Sequence, residues 1–337
     1  MYKVLVLISI FLLSLIGMYV LTKFAYKIGL MDVPNERSMH KKAVPRGAGI
    51  FFVLSIFLVL LLFDLEYLKT YYYIYLSIAI VFIVGVWDDL KSISPKMKFI
   101  FIFFATLLLY VNDFAIYSLG TYFGYELLLP SWFVLPFTFF AIAGYTNALN
   151  LMDGLDGLAA SISMVMFITF FAIGYEHHDS LLITLSSFFI ITLIPFLWFN
   201  WNPAKVFMGD SGSLSLGMAI VILTIQAVEY ITPASVLFII AMPLLDTFIV
   251  MTRRIQRHIS PFKADKNHMH HFLFKVKEDV RYTVIIFTLM QAVFSIIGYQ
   301  VREENNLLSL MLFLLLFYLF LNLFDQRIKL RKRGEKK

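Results

Sequence analysis

The amino-acid sequence predicts an all-α, polytopic integral membrane protein in which residues 1–337 form a single transmembrane domain. Hydrophobic residues make up 60% of the chain, charged residues only 15%, and the mean hydropathy is +0.82. Soluble globular domains contain far fewer apolar residues. Eleven apolar runs follow one another along the whole length, with no stretch between them long enough for a soluble domain. We therefore expect about eleven transmembrane helices.

Most of the apolar runs approach the roughly 20 residues that a helix needs to cross the hydrocarbon core. The first run has no evident small-residue cleavage site, so we expect a retained span and not a removable signal. The absence of Cys excludes disulfides, thiolate metal sites and Cys nucleophiles. The runs cover residues 3–22, 47–63, 71–87, 98–112, 131–146, 158–175, 181–199, 213–228, 234–252, 283–298 and 307–324.

Lysine and arginine are distributed unequally between the two sets of connections that alternate along such a chain. With the N-terminus outside and the C-terminus in the cytoplasm, all but three of the 28 Lys and Arg residues lie on the cytoplasmic side, the exceptions being Lys3, Lys69 and Arg302. Cytoplasmic loops carry such an excess, so this orientation is predicted. The net charge of +6 then reflects topology and attraction to anionic lipid, not nucleic-acid binding.

The positively charged connections also hold nearly every unusual motif, which favours an enzyme over a pore with polar groups along its length. The first of them reads D-V-P-N-E-R-S-M-H-K-K-A-V-P-R-G-A-G and predicts an irregular loop that binds phosphates. Positive-inside anchoring explains any single cation there equally well. Arg46 is the strongest candidate, because Gly47 and Gly49 allow close backbone approach to an anion. Its basic residues are Arg37, His40, Lys41, Lys42 and Arg46.

The second connection begins with two adjacent carboxylates, Asp88 and Asp89. Two carboxylates at the edge of the bilayer suit Mg²⁺, which takes a few protein oxygens together with substrate phosphates. Lys91, Lys96 and Lys98 follow them and could balance a pyrophosphate. A helix-capping or snorkelling role would account for one of the two aspartates but not for both.

The third connection, Asn147–Gly157, reads N-A-L-N-L-M-D-G-L-D-G. Asn147, Asn150, Asp153 and Asp156 recur every third residue, so neighbouring members would lie side by side on a helix. The row stands between two runs apolar enough for lipid, where carboxylates are costly and mark functional sites. A polar interfacial loop with capping aspartates is the alternative.

The fourth connection reads F-N-W-N-P-A-K-V-F-M-G-D-S-G-S-L. Asp210 stands where the eighth run begins, and backbone N–H groups at such a helix start can receive an anion. Asn200 and Phe207 could hydrogen-bond to and stack on a base. Helix capping alone would explain Asp210, although it does not explain the companion motifs.

The fifth connection contains three histidines, His268, His270 and His271, in the segment H-M-H-H. Zinc is disfavoured because no cysteine or nearby glutamate completes a tetrahedral set. We expect these histidines to bind a sugar or phosphate, with surface histidines near lipid headgroups as the alternative. Asp246, inside the ninth run, is a weaker member of the same cluster.

In this order and on one face, Asp88-Asp89, N-A-L-N-L-M-D-G-L-D-G, M-G-D-S-G-S-L and H-M-H-H resemble the polyprenyl-phosphate N-acetylhexosamine-1-phosphate transferases, of the glycosyltransferase family 4 type. The resemblance covers the whole chain. It implies transfer of a sugar 1-phosphate from a UDP-N-acetylhexosamine to undecaprenyl phosphate, with release of UMP. It also implies Mg²⁺, with Mn²⁺ as an alternative ion, and a multi-pass protein of the bacterial inner (cytoplasmic) membrane. The active site would face the cytoplasm, and a homodimer is compatible with the resemblance.

The matching motifs imply roles for individual residues. Asp210 corresponds to the chief Mg²⁺ ligand. The expected catalytic residues are Asp88, Asp89, Asp153 and Asp156, and the expected metal ligands are Asp210, Asp88, Asp89 and Asp153. With Arg46 added from the first connection, the expected substrate contacts are Arg46, Lys96, Asn147, Asn150, Asp156, Asn200, Phe207, His268, His270 and His271. We favour direct attack by the lipid phosphate, with Asp88 as base, over an aspartyl-phosphate intermediate.

The first and fifth connections are most similar to the UDP-N-acetylglucosamine branch, which initiates O-antigen or teichoic-acid synthesis. Met269 interrupts the three consecutive histidines that are usual in the muramoyl-pentapeptide branch of peptidoglycan synthesis, which remains an alternative. A transporter or flippase would be expected to show inverted repeats or interrupted helices, and no repeat is evident. A membrane phosphatase would need no nucleotide-binding asparagine and aromatic residue.

Overall fold

The computed structural model describes residues 2–34, 42–258, 260 and 268–334, with side chains from Lys3 to Leu323. Most of this chain is helical, as predicted. The helices are α1 (Tyr2–Ile28), α2 (Ala48–Phe63), α3 (Leu65–Thr70), α4 (Tyr72–Leu90), α5 (Pro95–Tyr110), α6 (Ser131–Met152), α7 (Leu158–His177), α8 (Ser180–Asn200), α9 (Gly209–Ala227), α10 (Pro233–Ile239), α11 (Ala241–Gln256), α12 (Met269–Lys277), α13 (Val280–Gln300) and α14 (Asn306–Gly334). Two antiparallel hairpins pair β1 (Met31–Asp32) with β2 (Val44–Pro45) and β3 (Ser118–Tyr122) with β4 (Tyr125–Leu128).

Several helices begin at side chains that satisfy free backbone N–H groups. Asp179 accepts a 2.6 Å hydrogen bond from the N–H of Leu182 at the start of α8. Asp279 does the same for α13, and Ser94 precedes Pro95 at the start of α5. Such N-caps, with proline at the first helical position, fix where a helix begins. The apolar runs therefore become helices with defined starting points.

Eight helices in the described residues are long and apolar enough to span a membrane, and a ninth span results if α10 and α11 count as one bent pair. The protein is thus a helical, multi-pass membrane protein. Each of the eleven apolar runs falls on a helix or on the bent pair, but α2 and α5 have only 16 residues each. The number of eleven spans, the orientation and the single domain over residues 1–337 stay predictions.

The ninth predicted run is not one straight helix. Residues 234–252 divide at Ile240 into α10 and α11, whose axes differ by 88°. A hydropathy run does not reveal such a bend, because both halves are apolar. The sequence analysis predicted a single span here, and the structure has a bent pair of helices instead.

Two connections also contain structure that the sequence analysis did not predict. The connection 113–130 forms the hairpin β3–β4, and the amphipathic helix α12 lies in the fifth connection. The third connection is shorter than predicted, because α6 continues to Met152 and includes Asn147 and Asn150. Only Asp153–Gly157 joins α6 to α7.

Helix α9 is the centre of the bundle, with most of its residues buried against α4, α6 and α2. Small residues allow the backbones to approach. A Cβ atom at Gly85 of α4 would lie 2.5 Å from the Cα atom of Ser211, and one at Gly49 of α2 would collide with the backbone of Gly212. In a membrane, close contact between small residues is a main source of helix association. This packing brings the N-terminal end of α9 beside the end of α4 and the start of α2.

Candidate active site

The N-terminal end of α9 is held by a side chain from another helix. Asp89, which is 2% exposed at the end of α4, accepts hydrogen bonds from the backbone N–H groups of Asp210 (2.8 Å) and Ser211 (3.1 Å) and from the Ser211 hydroxyl (2.6 Å). Gly209 has a φ of +74°, and a Cβ atom there would lie 2.5 Å from both Asp89 carboxylate oxygens. Both Asp89 oxygens therefore satisfy N–H groups that would otherwise be free.

This arrangement corrects the capping interpretation of Asp210. Met208 is the N-cap residue of α9 and makes no side-chain capping bond, whereas Asp210 lies within the first turn. The cap comes from Asp89 of α4, so the side chain of Asp210 is available for other contacts. The signal for this contact was the G-D-S-G-S start, whose free N–H groups require an acceptor.

Lys98 joins two of the predicted site carboxylates. Its ammonium nitrogen lies 3.1 Å from Asp88 Oδ1 and also contacts Asp210 Oδ2. Asp88 Oδ1 accepts a further hydrogen bond of 2.9 Å from the Ile93 N–H. All three charged side chains are largely buried, with 15–23% of each exposed. Lys96, which was predicted to contact substrate, is exposed in the first turn of α5. Two residues along a helix point to different sides, so only Lys98 reaches the carboxylates.

Asp153 follows the last residue of α6 and faces a region of negative charge. Burial, together with the carboxylates of Asp210, Asp89 and Asp156, raises the pKa of Asp153 to about 7. Within the described residues its side chain makes no hydrogen bond or ion pair that offsets this charge. A cation bound near Asp153 would favour the ionised form.

The two asparagines of α6 have different surroundings. The Asn150 amide donates a 2.8 Å hydrogen bond to the Ser213 hydroxyl of α9, which in turn donates to the Gly209 carbonyl at 3.2 Å. Asn147 is exposed, about 60° further round the same helix. Asn150 therefore fixes α6 against the start of α9, whereas Asn147 remains accessible.

The third and fourth connections are tied together by two side chains predicted to bind substrate. Asp156 Oδ2 accepts hydrogen bonds from the Asn202 amide (2.8 Å) and the Ala204 N–H (3.0 Å). Asn200, which is 3% exposed, accepts from the Gly157 N–H and donates to the Val206 carbonyl, both at 2.8 Å. In this structure both side chains shape the loops.

The fourth connection also joins the first. The Phe207 N–H donates to the Pro45 carbonyl at 2.7 Å, and the Ala48 N–H donates to the Phe207 carbonyl at 3.1 Å. Arg46 follows Pro45, and its Nη2 donates a 2.6 Å hydrogen bond to the Asp89 carbonyl. Its Nε is buried and has no hydrogen-bond partner within the described chain. Arg46 thus lies at the same helix end as the carboxylates, while Arg37, His40 and Lys41 lie outside the described residues.

The histidines of the fifth connection are placed by Asp246 of α11. Its Oδ1 accepts a 2.6 Å hydrogen bond from the Met269 N–H, and its Oδ2 contacts His268 Nδ1 at 2.8 Å. His270 is fully buried, and its Nε2 would lie 3.0 Å from a Cβ atom at Gly154. The fifth connection therefore reaches the third.

Asp246 was only a weaker candidate in the sequence, because its position in an apolar run gave no hint of the histidines that it contacts. The ring centroid of the third histidine, His271, lies 4.3 Å from the ring centroid of His270. Burial, followed by the neighbouring histidines, lowers the pKa of His271 to about 4. His271 is therefore neutral near pH 7 and can accept or donate a hydrogen bond.

The fold and the site define a class: a multi-pass helical membrane protein with carboxylates, a lysine and an arginine gathered at the N-terminal end of its central helix. Comparison with known proteins agrees. The model of glycosyl transferase family 4 matches residues 71–228, which include α4 to α9 and the three aspartate motifs around Asp88, Asp153 and Asp210. The chain belongs to this family.

Curated relatives match over nearly the whole chain. A probable undecaprenyl-phosphate N-acetylglucosaminyl 1-phosphate transferase of Bacillus subtilis (strain 168) is 30% identical over 318 residues, which cover 92% of this chain and 89% of the relative. The undecaprenyl-phosphate alpha-N-acetylglucosaminyl 1-phosphate transferase of Yersinia pestis is 32% identical over 93% of this chain and 89% of its own length. The protein with that name from Escherichia coli (strain K12) is 31% identical over the same shares.

Proposed function

We propose that this protein transfers N-acetylglucosamine 1-phosphate from UDP-N-acetylglucosamine to undecaprenyl phosphate and releases UMP. The relatives' names support the acceptor and the transferred group. The observation that carries the proposal is the contact of Lys98 with both Asp88 and Asp210 at the N-terminal end of α9. A transferase that brings two anionic phosphates together needs cations and helix N–H groups at that place.

The donor atoms at this site fit Mg²⁺, or Mn²⁺ in its place. Asp88 and Asp210 offer carboxylate oxygens around one positive charge, and the pKa of Asp153, raised to about 7 by burial and nearby carboxylates, is one that a bound cation would lower. Among the described residues, no three acidic or histidine side chains already hold a metal position by themselves. Mg²⁺ commonly takes only one or two protein carboxylates and completes its shell with substrate phosphates and water. Asp88, Asp153 and Asp210 are therefore the proposed candidate ligands, of which one or two would bind the ion directly.

The protein residues have distinct tasks in this mechanism. When bound, Mg²⁺ would screen the pyrophosphate and polarise its phosphoryl oxygens. Lys98 and Arg46 add positive charge, which lowers the repulsion between the two phosphates. Asp89 holds the start of α9 so that Asp210 stays beside Lys98.

The chemical step itself is a direct displacement. An oxygen of the lipid phosphate forms a bond to the phosphorus that carries the sugar, while the bond from that phosphorus to the UMP oxygen breaks. Asp88 is oriented by the Ile93 N–H and is the proposed acceptor of a proton from the lipid phosphate. The UDP-sugar is proposed to contact Asn147, Lys96, Phe207 and the three histidines.

The distribution of Lys and Arg supports a proposed orientation of the chain in the membrane. We propose an N-terminus outside, a C-terminus in the cytoplasm, eleven spans and a cytoplasmic active site in the bacterial inner membrane. The product would begin an envelope polysaccharide of the O-antigen or teichoic-acid type. A homodimer is compatible with the proposal.

One structural feature favours a second candidate, a transporter of lipid-linked substrates. Interrupted helices mark the binding sites of many transporters, and α10 and α11 form such a pair. Here, however, the second half of the pair carries Asp246, which holds the histidine segment. The segment after the break therefore supports the histidines of the proposed site, which favours the transferase.

The decisive experiment measures UMP release by the purified protein with undecaprenyl phosphate, Mg²⁺ and one UDP-sugar at a time. We expect turnover with UDP-N-acetylglucosamine and none with UDP-muramoyl-pentapeptide. Efficient use of the peptide-bearing donor would overturn the branch assignment. Absence of UMP release with every donor, combined with transport of a lipid-linked sugar in vesicles, would favour the transporter.

A further inference from the structure

The 88° break between α10 and α11 interrupts the helical hydrogen bonds among buried residues. A helix end leaves N–H and C=O groups unpaired, and each one is costly inside a membrane unless a partner is found. Pro243, in the first turn of α11, has no N–H and so removes one such group. The N–H of Met242 and the carbonyl of Ile239 still need partners.

One side chain serves both sides of the break. Gln291 of α13 is completely buried, and its Oε1 accepts a 3.1 Å hydrogen bond from the Met242 N–H. Its Nε2 donates to the Ile239 carbonyl at 2.7 Å and to the Ser295 hydroxyl at 2.9 Å. The amide thus uses its oxygen and both of its N–H groups. Because the oxygen binds α11 and the nitrogen binds α10, Gln291 fixes one half of the span relative to the other.

The packing of α13 on α10 is also tight about two helical turns beyond Gln291. A Cβ atom at Gly298 would lie 2.8 Å from the Ser235 carbonyl oxygen and 3.0 Å from the Phe238 Cβ atom. Helix α10 is therefore pressed against the helix that carries Gln291. The Met242 contact then restricts the direction of α11, which also packs against α6, α13 and α14.

The direction of α11 decides where the histidines lie. Asp246 is one helical turn after Met242, about 6 Å along the axis. Asp246 holds His268 and the Met269 N–H, and this segment places His270 against Gly154. A change in the direction of α11 would therefore move the histidines relative to the loop between α6 and α7.

We infer that Gln291 is a positioning residue of the active site: it sets the direction of α11 and, through Asp246, the position of His268–His271. This inference rests on the proposed transferase function for its kinetic part only. Gln291 touches neither the carboxylates nor the histidines in the described contacts, so its influence passes through the backbone of α11.

Three variants separate positioning from simple packing. Gln291→Leu keeps a similar volume but loses every hydrogen bond. Gln291→Glu remains protonated in this buried place, so it still offers one acceptor to Met242 and one donor to Ile239. Ser295→Ala is the matched control, because it removes only the contact within α13.

The position of α11 can be measured without any assay of activity. The chain has no cysteine, so spin labels can be attached at Arg257→Cys beyond the end of α11 and at Lys205→Cys in the fourth connection, two exposed residues. We expect Gln291→Leu to shift or broaden the distance distribution between the labels. Gln291→Glu and Ser295→Ala should keep the distribution of the parent protein.

The kinetic readout should follow the distances. For Gln291→Leu we expect kcat/KM for the UDP-sugar to fall roughly 10- to 100-fold, as small misplacements of catalytic groups do. Gln291→Glu should retain most of the parent activity. In the double variant Gln291→Leu with Asp246→Asn, the fold-loss in kcat/KM should be much smaller than the product of the fold-losses of the two single variants, because both act on the same segment.

Other outcomes would overturn the inference. These are unchanged distances in Gln291→Leu, a Gln291→Glu variant as impaired as Gln291→Leu, or multiplicative losses in the double variant. If Gln291→Leu does not fold, Gln291→Asn replaces it under the same criteria, because its amide is one methylene too short to span the break. A parent protein without UMP release refutes the transferase, but the distance measurement still tests whether Gln291 positions α11.

Discussion

The backbone N–H of Asp210 donates a 2.8 Å hydrogen bond to the carboxylate of Asp89, which belongs to a different helix. Because of this contact, Asp89 and Asp210 have different roles. Asp89 holds the backbone at the start of α9, while the side chain of Asp210 is left to meet Lys98 and, through it, Asp88. Adjacent carboxylates on α4 thus have different partners, although the sequence presents them as an equivalent pair.

Loss of the Asp89 carboxylate is expected to destabilise the fold as well as the site. Asp89→Ala leaves the Asp210 and Ser211 N–H groups without acceptors in a buried place, at a cost of about 1–3 kcal/mol. The thermal unfolding midpoint in detergent should fall without substrate present. Asp88→Asn is the control, because Asp88 accepts a single backbone N–H in a more exposed position. Equal unfolding midpoints for the two variants would contradict this role of Asp89.

Asp210→Asn should remove nearly all transferase activity but leave the fold intact. The expected loss in kcat is on the order of 10²-fold or more, as for a principal electrostatic contact to the transition state. Folding should survive because the start of α9 is capped by Asp89 and not by the Asp210 side chain. Turnover and thermal unfolding, measured with and without Mg²⁺, check both statements. A folded variant with near-parental, Mg²⁺-stimulated turnover would falsify the proposed metal role of Asp210.

The sequence predicted the helical membrane class because apolar length and composition are local properties. It also placed the carboxylates near helix ends, since each motif interrupts or borders an apolar run. The acceptor that caps α9 was not predictable, because the choice of Asp89 depends on how α4 packs on α9. That Lys98 and not Lys96 contacts the carboxylates was also not predictable, because charge spacing in a loop does not define the rotation of α5.

The break at Ile240 escaped prediction for a related reason. Its backbone groups are satisfied by Gln291, about 50 residues further along the chain, so no local pattern marks it. For Asn200, the residue type did not predict which contacts the amide makes. Its type suited base recognition, but burial and two backbone contacts engage its amide in the structure.

Lys98 should influence metal binding and turnover in opposite directions. Lys98→Met removes the positive charge 3.1 Å from Asp88, so the carboxylates become more attractive to Mg²⁺ and the concentration of Mg²⁺ for half-maximal activity should fall. Turnover should nevertheless decrease by roughly 10-fold or more, because one charge that screens the phosphates is lost. Lys96→Met is the comparison, since Lys96 is exposed. A larger loss in Lys96→Met than in Lys98→Met would contradict the role proposed for Lys98.

The proposed orientation can be tested by labelling single cysteines in this naturally cysteine-free chain. We expect Glu126→Cys and Glu303→Cys to react with a membrane-impermeant thiol reagent in intact cells. Lys42→Cys should react only after the cells are opened, and Lys263→Cys, outside the described residues, should behave in the same way. All three residues with described positions are exposed, so access to the thiol is decided by the membrane. Labelling of position 42 in intact cells would contradict the proposed orientation and indicate the inverse topology.

The pKa of Asp153 predicts how pH and Mg²⁺ act together on stability. Burial and neighbouring carboxylates raise this pKa from 3.8 to about 7. At a pH between these two values, Asp153 is protonated in the folded protein but ionised in the unfolded chain. Because the folded state binds more protons there, its stability decreases as the pH rises towards 7 and through it. Without metal, the unfolding midpoint of the parent protein should therefore fall between pH 6 and pH 8.

Asp153→Asn removes the titrating group, so its unfolding midpoint should change less over the same pH range. Mg²⁺ should raise the midpoint of the parent protein more at pH 8 than at pH 6, because only the ionised carboxylate attracts the cation. The measurement is thermal unfolding in detergent at both pH values, with Mg²⁺ or with a chelator. A Mg²⁺-dependent shift that is the same at both pH values, or equally large in Asp153→Asn, would exclude Asp153 from the cation site and leave Asp88 and Asp210 as its carboxylates.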